Sequence, residues 1–236
     1  MITTFPAARL QRLRRQAAPA RLDPPKGWSK SIVDPMTVVA VFKSLRIKEG
    51  FVLRAYQFRA GGDGNGFVWA MPEDAPFPEP DECPRLEGGF LHPPKPPGAL
   101  ADTMRAIEGD GTPWSYLCAS LFSREIREFG AMWHGSDWST HTILDRDPLA
   151  TGVAGRRQRD DRPSGAPELW TWFESKPAEW KPHVVQDGAA VTVVFHSFSG
   201  HIRQAIVRHV DTFRRASYCF KTTAKRIATG PGGYIF

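Results

Sequence analysis

The chain has 236 residues, 41% of them hydrophobic and including eight Trp and fifteen Phe, which is apolar material for one generous domain. No apolar run approaches the ~20 residues of a membrane-spanning helix, no apolar stretch follows the early arginines as a secretory signal requires, and three widely spaced cysteines (Cys83, Cys118, Cys219) argue against a disulfide framework or a Cys-only zinc site. The net charge is +6 and uneven: residues 1–35 carry seven Arg/Lys against two Asp, residues 36–180 sixteen against twenty-one acids, and residues 181–236 eight against two.

Residues 1–35 read as a basic N-terminal arm, since Arg9, Arg12, Arg14, Arg15 and Arg21 occur with no acid before Asp23. An Arg-rich, acid-poor stretch is read first as a solvated tail, and also suits contact with an acidic partner, wrapping of a neighbouring subunit through residues 1–30, or a transit peptide. Residues 36–236 read as a single α+β domain. Thr37–Phe42 and Phe51–Arg59 have the β-branched and aromatic content of strands. The glycine-rich turn at residues 61–66 then leads to the apolar Phe67-Val68-Trp69-Ala70, which makes a hairpin. That turn lacks the Lys and Ser/Thr of a P-loop and no helix follows it, so it carries no phosphate motif. Residues 72–97, rich in proline and acids, are predicted to be an extended loop.

The pattern predicts a short helix over Ala99–Glu108 and a long one from Pro113, with Thr112 as N-cap and Pro113 at the first helical position. The last third reads as an antiparallel meander of Val191–Phe198, Ile202–Val210 and Ala216–Thr223. The expected fold is therefore α+β: an antiparallel sheet, from the N-terminal hairpin and the C-terminal β-meander, packed by one long and one short helix.

The long helix contains one residue that breaks its own pattern. At 100° per residue, Glu125 projects into the apolar arc of Leu117, Cys118, Leu121, Phe122 and Phe129, with Glu128 near its edge. A carboxylate there must be hydrogen-bonded, paired, metal-bound or protonated. Just beyond lie His134, Asp137 and His141. Glu125, Glu128, His134 and His141 thus form a candidate acid–base set for a small-molecule enzyme or metal-dependent hydrolase. Glu125, His134 and His141 are its candidate catalytic residues. No His-Glu-x-x-His or Glu-x-x-His spacing occurs, so the sequence assigns neither metal nor cofactor. The bland alternative is a Glu125 that only ties down the following loop.

The basic ends suggest nucleic acid or another acidic polymer as partner, with Arg12, Arg14, Arg15, Arg156, Arg157, Arg214, Arg215, Lys225 and Arg226 as candidate phosphate contacts. Arg214, Arg215, Lys225 and Arg226 fall near strand ends and predict a basic rim, with Trp170, Trp172, Trp180 and Tyr218 as stacking surfaces. No named nucleic-acid motif appears. The leading expectation is a cytoplasmic, non-membrane binding protein or complex subunit whose basic regions engage nucleic acid. The enzyme and the assembly subunit with a wrapping arm are the alternatives.

Overall fold

The computed structural model describes residues 1–18, 24–87, 92–133, 136–150 and 167–232. In chain order it runs β1 (Ile2–Thr4), α1 (Ala7–Ala17), β2 (Gly27–Lys30), α2 (Met36–Val41), β3 (Leu45–Ile47), β4 (Phe51–Ala60) and β5 (Asp63–Pro72). Then come β6 (Ile107–Gly109), α3 (Pro113–Arg127), β7 (His141–Leu144), β8 (Thr171–Trp172), β9 (His183–Asp187), β10 (Ala190–Ser199), β11 (Arg203–Arg214) and β12 (Phe220–Gly232). Every sheet pairing is antiparallel, so the α+β expectation holds. No helix is long and apolar enough to cross a membrane among the described residues.

The chain divides into two compact units: Met1–Arg12, Asp137–Ala216 and Phe220–Phe236 form the first, Leu13–Ser136 and Ser217–Cys219 the second. The predicted hairpin and meander fall in different sheets accordingly. In the first unit the order is β1-β9-β10-β11-β12-β8, with β7 also pairing β10. In the second, β2-β4-β5 form one sheet and β3-β6 a small one. Residues 2–17, read from sequence as part of a basic arm, are strand and helix here. β1 extends the sheet along β9, and the amino terminus donates to the Gln186 carbonyl at 2.8 Å. In α1 the positions 7, 10, 14 and 17 form one buried stripe of Ala7, Leu10, Arg14 and Ala17, at the i, i+3, i+7 spacing of a packed helix face.

Two further expectations change. Thr37–Phe42, expected as a strand, lies in helix α2 and its cap. Asp34 Oδ1 accepts from the Met36 N–H at 2.9 Å and Pro35 already has a helical φ of −64°, so local capping overrides the β-branched composition. Ala99–Glu108, expected as a helix, is one 3₁₀ turn (Thr103–Ala106) followed by β6. The Asp102 side chain accepts from the Met104 N–H and starts that turn, but Ile107 then pairs with Ile47 instead of continuing it.

Helix α3 is the spine of the second unit. Thr112 Oγ1 caps the Ser115 N–H at 3.3 Å, and Gly130, at φ +73°, takes the left-handed conformation just past the helix end. Ser120 and Ser123, on the helix side opposite the apolar arc, are also buried, so the helix is covered on nearly all sides. Leu117, Leu121 and Phe122 are inaccessible, each stabilising the fold by about 1.5–3 kcal/mol. Gly66 admits the end of α3: a Cβ there would lie 2.2 Å from the Phe129 carbonyl oxygen. Between β11 and β12 the chain returns to this unit through Tyr218, which stacks on Tyr116 and bonds the Ser115 hydroxyl at 2.6 Å.

In the first unit the sheet has two unlike faces. Val184, Val191, Val193, Phe195 and Phe213 are fully buried on one. On the other, Leu149, Trp170 and Trp180 cover Phe198, Ile206 and Ala228, while Thr192, Val194, Val210, Thr212 and Thr223 stay half-buried or exposed. The sheet is thus covered on one face except along β12, where Thr222, Ala224 and Arg226 are exposed, and bare over half of the second.

Candidate functional site

The residues singled out by sequence separate into three places. The first is Glu125. Its apolar-facing position is confirmed, at 9% exposed, and Arg14 Nε donates to its Oε1 at 2.9 Å. Arg14 is itself 7% exposed, so the guanidinium read as a phosphate contact is turned inward. Burial pulls its pKa down, and the Glu125 carboxylate, with Glu128, pulls it back. The carboxylate that the pattern required to have a partner has an arginine. His134 lies outside the described residues, and His141 belongs to the first unit, whereas Glu125 belongs to the second.

The second place is a polar chain on the buried face of the large sheet. Ser197 Oγ lies 2.8 Å from His141 Nδ1 and 2.7 Å from His209 Nε2. His141 Nε2 lies 3.7 Å from Asp137 Oδ1. One hydroxyl proton can serve only one imidazole, so the other ring must donate to the oxygen. The Asp137 carboxylate favours the arrangement with N–H on His141 Nε2, Ser197 donating to Nδ1, and His209 Nε2–H donating to Ser197. Contact with His141 in turn holds the Asp137 carboxyl below the usual carboxylate range. Asp137 is 84% exposed, so solvent screens this pull. Trp138 packs edge-on to Phe195 and His209 and closes the chain from the side. Ser197 is fully buried. An inaccessible hydroxyl between two imidazoles suits a structural polar network better than a nucleophile. His209 and Ser197 were passed over in the sequence. Their signal is that both fall on the strand phase of Val191, Val193, Phe195 and Phe213, which is mostly apolar, with Asp211 and Ser199 its other polar members.

His196 sits on the opposite phase, against Trp180, with ring centroids 5.2 Å apart. Among the described residues neither of its ring nitrogens has a partner in hydrogen-bonding geometry, although the Trp180 backbone is close enough to favour the charged ring weakly. Burial and the nearby Arg208 charge push it down to about 4.

The third place is the basic end of the large sheet. The segment Arg203–Arg226 holds seven Arg/Lys, and its one acid, Asp211, is fully buried. Register sets Arg208 opposite Lys225 and Thr212 opposite Lys221, so Arg208, Arg214, Lys221 and Lys225 share the bare face. Four cations on one face is more than the rim expected from sequence. Arg226 lies opposite Val207, on the other face, and Arg215 just past the end of β11. Residues 221–226 are exposed throughout, and among the described residues no strand pairs the outer edge of β12 before Ala228. Glu174 pairs with Arg208 at 3.0 Å and with Lys225, and the Lys225 contact holds its carboxyl low. Arg214, Arg215, Lys221 and Arg226 have no ion-pair partner among the described residues.

The other predicted contacts are dispersed or buried. Arg12 and Arg15 are exposed on α1, and Arg156 and Arg157 lie outside the described residues. The expected stacking platforms are core residues: Trp170, Trp180 and Tyr218 are buried, and Trp172 packs against the Trp180 cluster. Large rings are spent on packing here because each buries more apolar area than any other side chain. Among the described residues no group of His, Cys, Asp and Glu is arranged to hold a metal ion. No family model, curated protein or solved structure matches this chain.

Proposed function

We propose that this protein binds an acidic polymer, with nucleic acid the favoured class, through the bare face and outer edge of the β11–β12 hairpin. The observation that carries the reading is a set of four exposed cations on this hairpin with no ion-pair partner among the described residues: Arg214 and Lys221 on the bare face, Arg215 just past the end of β11, and Arg226 on the opposite side of β12, whose residues 221–226 are all exposed. Lysines on an exposed edge also protect a sheet from edge-to-edge aggregation. Edge protection needs a charge or two, whereas this segment concentrates seven and keeps its only acid out of contact with solvent. Threonine hydroxyls between the cations can donate to phosphate oxygens. With no aromatic ring on the bare half, recognition runs through the backbone charges and is indifferent to base sequence. The test is heparin chromatography and fluorescence anisotropy with a single-stranded RNA at low salt. The quadruple variant Arg214→Gln, Arg215→Gln, Lys221→Gln, Arg226→Gln should elute early and lose binding while keeping its circular dichroism spectrum. Unchanged retention of the folded variant would remove the proposal.

A further inference from the structure

We infer that the second unit holds a small-molecule site, a cleft of about 290 Å³ between β5, the 3₁₀ turn at Thr103–Ala106 and the end of α3, and that it takes a monocarboxylate with an aromatic or aliphatic body. Ser123 and Arg127 line it one helical turn apart. Arg127 is exposed and has no ion-pair partner among the described residues, and the Ser123 hydroxyl, although the residue is 3% exposed, makes no hydrogen bond among them. A buried mid-helix serine ordinarily bonds back to a carbonyl four residues earlier. Here the Ser120 carbonyl, three residues back, receives Arg124 at 2.9 Å, and no bond from Ser123 to the Ala119 carbonyl is formed among the described residues. A guanidinium and a hydroxyl on one wall form a donor pair suited to a carboxylate, which arginine can grip with two parallel bonds.

The remaining walls set the ligand's body and its charge. Phe67, 37% exposed, lies 4.5 Å from Trp69 centroid to centroid and supplies an aromatic wall. Leu100 and Met104 supply an apolar one. These walls are fixed: Trp69 Nε1 donates to the Pro94 carbonyl at 2.9 Å, and Thr103 Oγ1 donates to the Val68 carbonyl at 3.0 Å. Asp102 also lines the cleft, so a second negative charge on the ligand would face a carboxylate without a second cation. That selects a monoanion over a phosphate dianion. The volume sits at the small end of ligand pockets and suits about a dozen non-hydrogen atoms.

The probe is 3-phenylpropionate, titrated calorimetrically into the full chain, with 3-phenylpropylamine as its cationic counterpart. The expected result is saturable one-to-one binding with a Kd of roughly 0.1–1 mM, as ligand efficiency allows for so small a molecule. Arg127→Gln should weaken it tenfold or more and Ser123→Ala about threefold, while the amine should not bind. Arg127 is exposed, so its variant reports on binding and not on folding. Equal affinity for the amine, unchanged affinity in a folded Arg127→Gln protein, or a lack of saturation would each overturn the assignment. The nucleic-acid reading concerns a different unit and would survive any of these outcomes.

Discussion

Replacing Glu125 by Gln keeps the shape of the side chain and removes only its charge. Arg14 would remain 7% exposed, its Nε still facing residue 125 from 2.9 Å, but without the carboxylate that offsets its desolvation. Glu128 adds some compensation and Arg124 opposes it, so neither neighbour replaces the pair. Breaking one partner of a buried ion pair costs about 3–5 kcal/mol. At roughly 4 °C per kcal/mol for a unit of this size, Tm should fall by about 12–20 °C. Urea unfolding followed by far-ultraviolet circular dichroism measures the loss. The double variant Arg14→Met, Glu125→Leu should recover most of it, because apolar residues of similar volume often replace a buried pair at little cost. A Glu125→Gln loss below about 1 kcal/mol would refute the reasoning, since the pair would then be exposed in effect. A double variant as unstable as the sum of the singles would refute it too, by showing independent sites.

Two other outcomes follow from the first unit. His196 is pushed down to about 4, below its unfolded value near 6.5, so the unfolded chain binds more protons between those pH values. Its contribution to stability is whole above pH 6.5 and falls away as pH drops toward 4, by about 3 kcal/mol in total; His196→Phe should flatten that limb of a stability–pH curve, and an unchanged slope would contradict the burial argument. Ser197→Ala strands one nitrogen on each of His141 and His209 without its hydroxyl and should cost about 2 kcal/mol in urea unfolding, whereas a neutral result would show that the chain of hydrogen bonds is not formed in solution.

The sequence displayed the parts whose signals are local. Alternation and turn chemistry placed β4, β5, β10 and β11, and Thr112-Pro113 marked the start of α3. Glu125 announced its need for a partner because helical periodicity is enough to expose a charge on an apolar face. Its partner stayed hidden for two reasons: Arg14 is 111 residues away, and a run of arginines without acids masked the stripe Ala7, Leu10, Arg14, Ala17. Asp34-Pro35 acted through a cap that composition does not register, which is why α2 looked like a strand. The Asp137–His141–Ser197–His209 chain joins β7, β10 and β11, and no spacing along the chain encodes that cross-strand meeting. Most of the basic surface was visible as composition. Its concentration on one face needed the β11–β12 register, which sets Lys221 and Lys225 in phase with Arg208 and Arg214.

The central claim is that cations on the β11–β12 hairpin release counterions from a polyanion, and the slope of log affinity against log salt reads that release directly. Four neutralised phosphates on a single strand predict a slope near −2.8, a loss of about 50-fold in affinity between 50 and 200 mM salt. Lys221→Gln together with Arg226→Gln should reduce the slope to roughly −1.4. A wild-type slope near zero, or one that these substitutions leave unchanged, would contradict the account.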